Sequence, residues 1–287
     1  MRDFSAGHEW LSINTATVRK QGDLVAIIEA CAKLGIRAIS PWRDQVAAVG
    51  LDRAVETVKA TGMALSGYCR GGMFPVDAER LQEARDDNRR AVDEAAALGA
   101  PCLILVVGGL PQFSRPGSSP LRDLGAARTM VEDGIGALLD YAGDAGVPLA
   151  IEPLHPMYAA DRACVNTLAQ ALDICDRLDS DRTGELGVAV DVYHVWWDPD
   201  LSAQIARAGR DRLLAYHVCD WLVPTRNLLT DRGMMGDGVI ELRRIRADVE
   251  AAGYRGFAEV EIFSEDWWAR PMADVLETCI ARHRSVV

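Results

Sequence analysis

The feature that most limits the fold is a regular alternation of short apolar runs with longer segments of helical period. The runs "LSINTA" (11–16), "IRAIS" (36–40), "ALSGYC" (64–69), "CLILVVGG" (102–109), "PLAIEP" (148–153), "LGVAVDVYH" (186–194), "LLAYHVCD" (213–220) and "GFAEVEIFS" (256–264) read as strands. Between them, "LVAIIEACAKLG" repeats apolar residues at helical spacing, and "RLQEARDDNRRAVDEAAALG" is charged on one face and alanine-rich on the other. Several helical segments stop at Gly35, Gly62, Gly99, Gly146 and Gly253, just before the next strand. Strict alternation implies a parallel sheet buried on both faces, and about 250 residues for eight such units is the measure of a TIM barrel. An open doubly wound sheet would carry a glycine-rich fingerprint after its first strand, and "SINTATVRK" has none. No linker or low-complexity stretch divides the chain. The expected fold class is therefore α/β, a single (β/α)8 TIM barrel occupying residues 1–287.

The bulk chemistry narrows the partners. A formal net charge of -11 argues against nucleic acid or an anionic membrane as partner. The seven cysteines are scattered, odd in number and never in a C-x-x-C pair, which reads as reduced thiols. "MRDFSAGHEW" lacks the features of a secretion signal, and the apolar run "CLILVVGGL" is far below the roughly 18 residues of a membrane span. A soluble, cytoplasmic protein is expected.

In a TIM barrel, function sits where strands end and the following loops begin. The ends of strands five to eight carry Glu152 ("AIEPLHP"), Asp191 ("AVDVYH"), His217 ("AYHVCDW") and Glu261 ("EVEIFS"). Three unpaired carboxylates brought to one mouth would repel and raise one another's pKa values. A divalent cation held by the three carboxylates and a neutral imidazole removes that cost. Each residue alone has a plainer reading, as a helix cap, a surface charge or a packed histidine; together they make a metal site.

The order Glu, Asp-x-x-His, His and Glu at these strand ends resembles the xylose-isomerase-like TIM barrels. That superfamily holds ketose 3-epimerases, inosose dehydratases, sugar-phosphate isomerases and endonuclease IV, along with lyases and hydratases acting on 3-keto-glycosides. "GDGVIEL" after the seventh strand is similar to a G-[DE]-G segment common there, and the likeness covers essentially the whole chain. The resemblance implies that Glu152, Asp191, His217 and Glu261 bind the metal and that His194 contacts substrate. Ketose 3-epimerases continue their fifth-strand motif to a second Glu, where this chain has Tyr158, and carry an Arg six residues after the seventh-strand His, where it has Val223. Those departures set it apart from simple ketose epimerases.

Three carboxylates and one His suit Mn²⁺ foremost, with Mg²⁺, Co²⁺ and Zn²⁺ as alternatives. About two open positions on a six-coordinate ion match a vicinal hydroxy-ketone, whose enediolate the ion would stabilise. The expected activity is a metal-dependent sugar or keto-sugar isomerase or epimerase, with Glu152 and Glu261 as bases. β-Elimination or hydration on a 3-keto-glycoside or inosose-like substrate, by a single base, is the alternative. His194 and His155 would orient hydroxyls or shuttle a proton. Trp42, Trp196 and Trp221 fall just past strand ends, where an indole would cover a sugar face. Arg43 ("PWRDQV") and Arg70 ("CRGGMF") lie near the same mouth. Arg70 with its two glycines would cradle an anionic substrate group, while Arg43 could instead pair with Asp44 or Asp220. The long loops after strands four, five and seven, the last containing Asp231, Arg232, Gly233 and Asp237, are the places for a lid. An endonuclease-IV-like nuclease would need more His ligands and a basic groove than five His and this charge supply. A non-catalytic subunit would not need an oxygen-rich site at this face. A small sugar is the expected partner, with a homo-oligomer as an open possibility.

Overall fold

The computed structural model describes residues 2–111, 122–181 and 183–287. The loop expected after the fourth strand, 110–120, lies mostly outside the described residues. Eleven strands occur among the described residues: β1 (Leu11–Asn14), β2 (Ala38–Ser40), β3 (Ala64–Leu65), β4 (Tyr68–Gly72), β5 (Leu103–Val106), β6 (Leu149–Ile151), β7 (Leu186–Asp191), β8 (Leu213–Val218), β9 (Asp220–Trp221), β10 (Arg232–Gly233) and β11 (Ala258–Val260). Nine of them form one sheet in the order β3-β2-β1-β11-β8-β7-β6-β5-β4, with every adjacent pair parallel. The first strand thus pairs with the last, and the sheet curls into a TIM barrel surrounded by helices.

The third expected strand, 64–69, is two pieces. β3 pairs with β2 and β4 pairs with β5, and the chain between them, with a parallel bridge from Trp42 to Cys69, closes the barrel. The register of β4 on β5 slips between Cys69 and Gly71, so Arg70 is the extra residue of a β-bulge. A bulge bends its strand and re-aims the extra side chain, which a continuous strand could not do.

Helices form where the sequence supplies both caps and an apolar face. Asp23, Asp123 and Thr167 accept backbone N–H bonds at the starts of the helices Leu24–Lys33, Leu124–Asp144 and Leu168–Leu178. Gly35, Gly62, Gly99, Gly146 and Gly253 follow helix ends with positive φ, as their positions predict. No helix among the described residues is long and apolar enough to cross a membrane.

The core has two parts, and the division positions the site. Leu, Ile and Val side chains on the outer face of the strands pack against the helices in one large cluster. Inside the barrel, Cys69, Cys102, Ile104, Ala150, Ala189 and Ala215 form a separate small cluster. Side chains alternate along a strand, so the residues two places beyond Ala150, Ala189 and Ala215 also face inward. Those residues are Glu152, Asp191 and His217. Small residues fill the narrow floor, and polar ones emerge above them at the mouth.

Gly72, at the end of β4, tests this geometry. Its φ is 110°, and a Cβ there would overlap the carbonyl of Val106. Gly72→Ala is expected to cost about 3 kcal/mol in chemical denaturation, from left-handed backbone strain and a displaced neighbouring strand. A change under about 0.5 kcal/mol would contradict the described closure.

Candidate metal centre

Glu152, Asp191, His217 and Glu261 are all buried, and one ligand atom from each lies within 4.8 Å of the others. Strand register explains the convergence: Asp191 stands opposite His217, and His217 opposite Glu259, on parallel neighbours. Nδ1 of His217 is 3.0 Å from Oε1 of Glu152 and 3.9 Å from Oε2 of Glu261. His217 Nδ1 and Glu152 Oε1 thus make a close ion pair that falls outside hydrogen-bond geometry, and both atoms are buried with no other hydrogen bond. Buried polar atoms are normally satisfied, so two such atoms facing one point in an oxygen-rich set match a group that could hold a divalent cation. Both oxygens of Asp191 already accept a hydrogen bond, Oδ1 from the Tyr193 N–H at 2.8 Å and Oδ2 from Arg232 Nη1 at 2.9 Å, so a cation there would share an oxygen with one of these donors.

A layer of partners fixes these side chains. Asn14 donates through Nδ2 to Glu261 Oε1 at 2.9 Å and to Glu259 Oε1 at 2.8 Å, and its own oxygen accepts from Trp42 Nε1 at 2.7 Å. Glu259 also accepts from Ser66 at 2.7 Å and lies 3.5 Å from Nε2 of His217. A carboxylate behind a histidine orients the ring and raises its basicity as a ligand. Arg232 closes the other side. Its Nη1 lies 2.9 Å from both Asp191 Oδ2 and Glu261 Oε2, and Nη2 is 3.1 Å from Nε2 of His194.

Arg232 comes from the loop expected to be a lid, but this part of the loop is packed into the molecule. β9 and β10 pair antiparallel, and Asp231, Arg232, Met234 and Met235 are buried. Asp220 holds the turn by accepting the N–H groups of Trp221, Gly236 and Ile240 at 2.9–3.0 Å. Gly238 is confined by the same turn, since a Cβ there would run into Trp221 and Asp220. The G-D-G segment therefore presents a compact loop that carries Arg232 to the site.

Burial opposes the charging of His217, but the carboxylates of Glu259, Glu152 and Glu261 outweigh it and hold the imidazole well above its usual range. Burial likewise opposes ionisation of Asp191, and Arg232 with the two histidines overcomes it, so Asp191 stays below the ordinary carboxylate range. Glu261 goes the other way. Burial, with repulsion from Glu152 and Asp191, pushes it up to about 8 despite Arg232. Burial pushes His194 down to about 3 against the pull of Asp191, so its ring is neutral at neutral pH.

A cavity of about 250 Å³ opens on this group. Of the residues singled out from sequence, Glu152, His194, Glu261, Trp42 and Arg70 line it, and Asp191 and His217 lie within ligand distance beneath. Trp196, Trp221 and His155 stand outside the lining. His155 stacks on Trp221 at 5.0 Å, Trp221 packs on Tyr193 and Trp196, and the His155 N–H reaches His194 Nδ1 at 3.2 Å. They form an aromatic wall behind His194. Arg43 also lies outside, tied not to Asp44 or Asp220 but to Asp87 at 2.9 Å and Glu94 at 2.8 Å on the helix Leu81–Leu98. Tyr158 lines the cavity and bonds the Leu228 carbonyl at 2.6 Å, whereas Val223 is 70% exposed. The guanidinium that meets the acidic group thus comes from Arg232. Sequence reading left out Asn14, Glu259 and the contact of Arg232 with the acids. Alternation along "EVE" was a signal for Glu259; nothing local marked the other two.

Comparison with curated protein sequences returns no match. Among solved structures, protein SMc04130 from Sinorhizobium meliloti 1021 is 61% identical, with 96% of this chain and 98% of that one covered and a TM-score of 0.90. The IolI protein with a binding zinc atom is 19% identical, with 95% of each chain covered and a TM-score of 0.78. The 3-keto-D-glucoside 4-epimerase YcjR from E. coli is 19% identical, covering 92% of this chain and 94% of that one, with a TM-score of 0.71. The latter two likenesses concern the fold. The family described as xylose isomerase-like TIM barrel matches residues 28–281. Because that match runs from the first barrel helix to the last, the chain belongs to the xylose isomerase-like TIM barrel family.

Proposed function

We propose that this protein is a divalent-metal-dependent isomerase or epimerase of a sugar or keto-sugar, acting by removal of a proton from the carbon beside a carbonyl. One observation carries the reading: Glu152 Oε1 and His217 Nδ1, buried and without hydrogen bonds, converge with Asp191 and Glu261 beside a small cavity. The fold shared with a zinc-binding IolI protein and a keto-sugar epimerase supports it. At about 250 Å³ the cavity is below the ~300 Å³ at which drug-sized ligands begin, which suits a monosaccharide.

Glu152, Asp191, His217 and Glu261 would hold the ion, and their oxygen-rich donor set favours Mn²⁺ over a thiophilic metal. A divalent cation bound there polarises a carbonyl and steadies the negative charge that develops on its oxygen. Glu152 and Glu261 both line the cavity, which makes them the two bases, Glu261 sharing its oxygens with Asn14 and Arg232. One takes the C–H proton while the bonding pair moves toward the carbonyl oxygen. Return of a proton by the other, from the opposite face, inverts the carbon. Neutral His194 serves as a hydrogen-bond partner for a substrate hydroxyl, held by the His155 N–H behind it. Arg232 keeps Asp191 ionised and supplies positive charge at the site edge.

In D₂O, the metal-loaded protein is expected to place deuterium at one carbon of a keto-sugar or 3-keto-glycoside, read by NMR. Absence of exchange across both substrate classes would sink the reading, and exchange accompanied by loss of water would reassign it to elimination. Metal content by plasma mass spectrometry is expected near one ion per chain, lost in His217→Ala and Asp191→Asn. An unchanged content in both variants would remove these residues as ligands.

Metal affinity should also depend on pH with a definite sign. Below pH 8 an entering ion must displace a proton from Glu261 and another from His217; above about 8 it displaces only the latter. Affinity therefore rises with pH, more steeply below about 8, where Glu261 also carries a proton, than above it. Titration calorimetry between pH 6 and 9 checks this, and a flat profile would contradict it.

A further inference from the structure

The end of the cavity beyond the acidic group is cationic. Arg19, Arg70 and Arg162 all line it, in a protein whose net charge is -11. Two of the three have nearby acids: Arg19 pairs with Asp44, and Arg162 lies a loose 3.8 Å from the exposed Asp161 with its guanidinium over Tyr158. Arg70 differs. It is half-buried yet has no hydrogen bond or ion pair among the described residues.

Its surroundings are consistent with this. Asp87, which lines a neighbouring pocket with Arg70, is taken by Arg43 and Arg90, and Asp44 there pairs with Arg19. Withdrawing a guanidinium from water without a hydrogen-bonded partner is unfavourable, and here Arg162 and Arg43 add repulsion that a smaller attraction from Asp87 does not remove. The chain nevertheless builds a bulge that turns this one residue out of β4's register. The glycines that follow serve that bulge and do not offer an anion cradle. Gly71 is packed under Leu103 and Leu105, and the Gly72 N–H is already donated to Asn88 at 2.6 Å. At the other end, a divalent ion and Arg232 together offset the three carboxylates, leaving nothing acidic in the cavity to answer Arg70.

We propose that the sugar or keto-sugar taken by this site is anionic, carrying a carboxylate or phosphate that Arg70 and Arg162 bind at the end of the cavity away from Glu152 and Glu261. The proposal rests on the metal-assisted reading for where the reacting carbon lies, and adds the substrate's charge.

Three sugars that differ only at one end provide the test: D-fructose, D-fructuronate and D-fructose 6-phosphate. Each is titrated calorimetrically into the full-length, Mn²⁺-loaded protein and into Arg70→Gln, Arg70→Lys and Arg162→Gln, with metal content verified in each. One acidic sugar is expected to bind about ten- to a hundredfold more tightly than D-fructose, as for a charge-assisted hydrogen bond. Arg70→Gln should erase that preference, Arg70→Lys retain part of it, and Arg162→Gln reduce it. Whether fructuronate or the phosphate gains decides which anion is meant. Equal affinities, no binding of either acidic sugar, or a preference that survives both glutamine variants would overturn the proposal. Deuterium exchange on the same samples separates the two readings. Exchange into D-fructose without any anion preference rejects the cationic subsite while leaving the proton abstraction. An Arg70-dependent preference without exchange supports the subsite and rejects the proton abstraction.

Discussion

The repulsion among three buried carboxylates is the constraint around which this mouth is built. Glu152, Asp191 and Glu261 face one point beside His217, with a fourth acid, Glu259, one layer below. In so dry a setting each charge would be expensive alone. The fold answers with fixed partners: Arg232 between Asp191 and Glu261, Asn14 between Glu261 and Glu259, and Ser66 on Glu259. What those partners leave over is specific. It is one oxygen of Glu152 and both ring nitrogens of His217, which make close ionic contacts but no hydrogen bond among the described residues.

The same constraint links the site to the surrounding fold. Asp220 accepts three backbone N–H groups, which sets the turn containing Gly236 and Gly238 and, through the pairing of β9 with β10, the position of Arg232. Asp231 secures the residue beside it by accepting the backbone N–H and side chain of Arg226. The aromatic wall of His155, Tyr193, Trp196 and Trp221 does the equivalent for His194. A guanidinium shared by two carboxylates needs its position fixed closely to be useful. Here that precision is supplied by backbone hydrogen bonds of the loop and by ring packing directly behind His194 and Arg232.

How much of this was legible in the sequence follows from the range of each signal. Alternation of strands and helices is a repeated local pattern, and it marked all eight barrel strands and the glycines after their helices. Position marked Glu152, Asp191, His217 and Glu261, because each stands at the end of an apolar run. The break between β3 and β4 was not legible: Ser66 and Gly67 look like strand residues, and only closure of the ring requires the turn there. Arg232 sits in a strand of two residues, too short for any periodicity. The partners of Arg43 belong to a helix roughly forty to fifty positions away, a pairing that tertiary packing alone creates.

Arg70 and Arg232 show why type and neighbourhood of a residue are poor guides to its role without the fold. Both are arginines followed by glycine, and both meet the same cavity. Arg232 is enclosed by acids that hold it in place, so its charge is spent within the protein. Arg70 is repelled by Arg162 and Arg43, and Asp87, which attracts it, is ion-paired with Arg43. An arginine that is partnered at rest stabilises what surrounds it; one that is left without a partner inside a cavity has its charge available to a ligand. The two ends of this cavity therefore differ in kind. One is balanced once an ion is present, and the other is balanced only by something that enters with a negative charge.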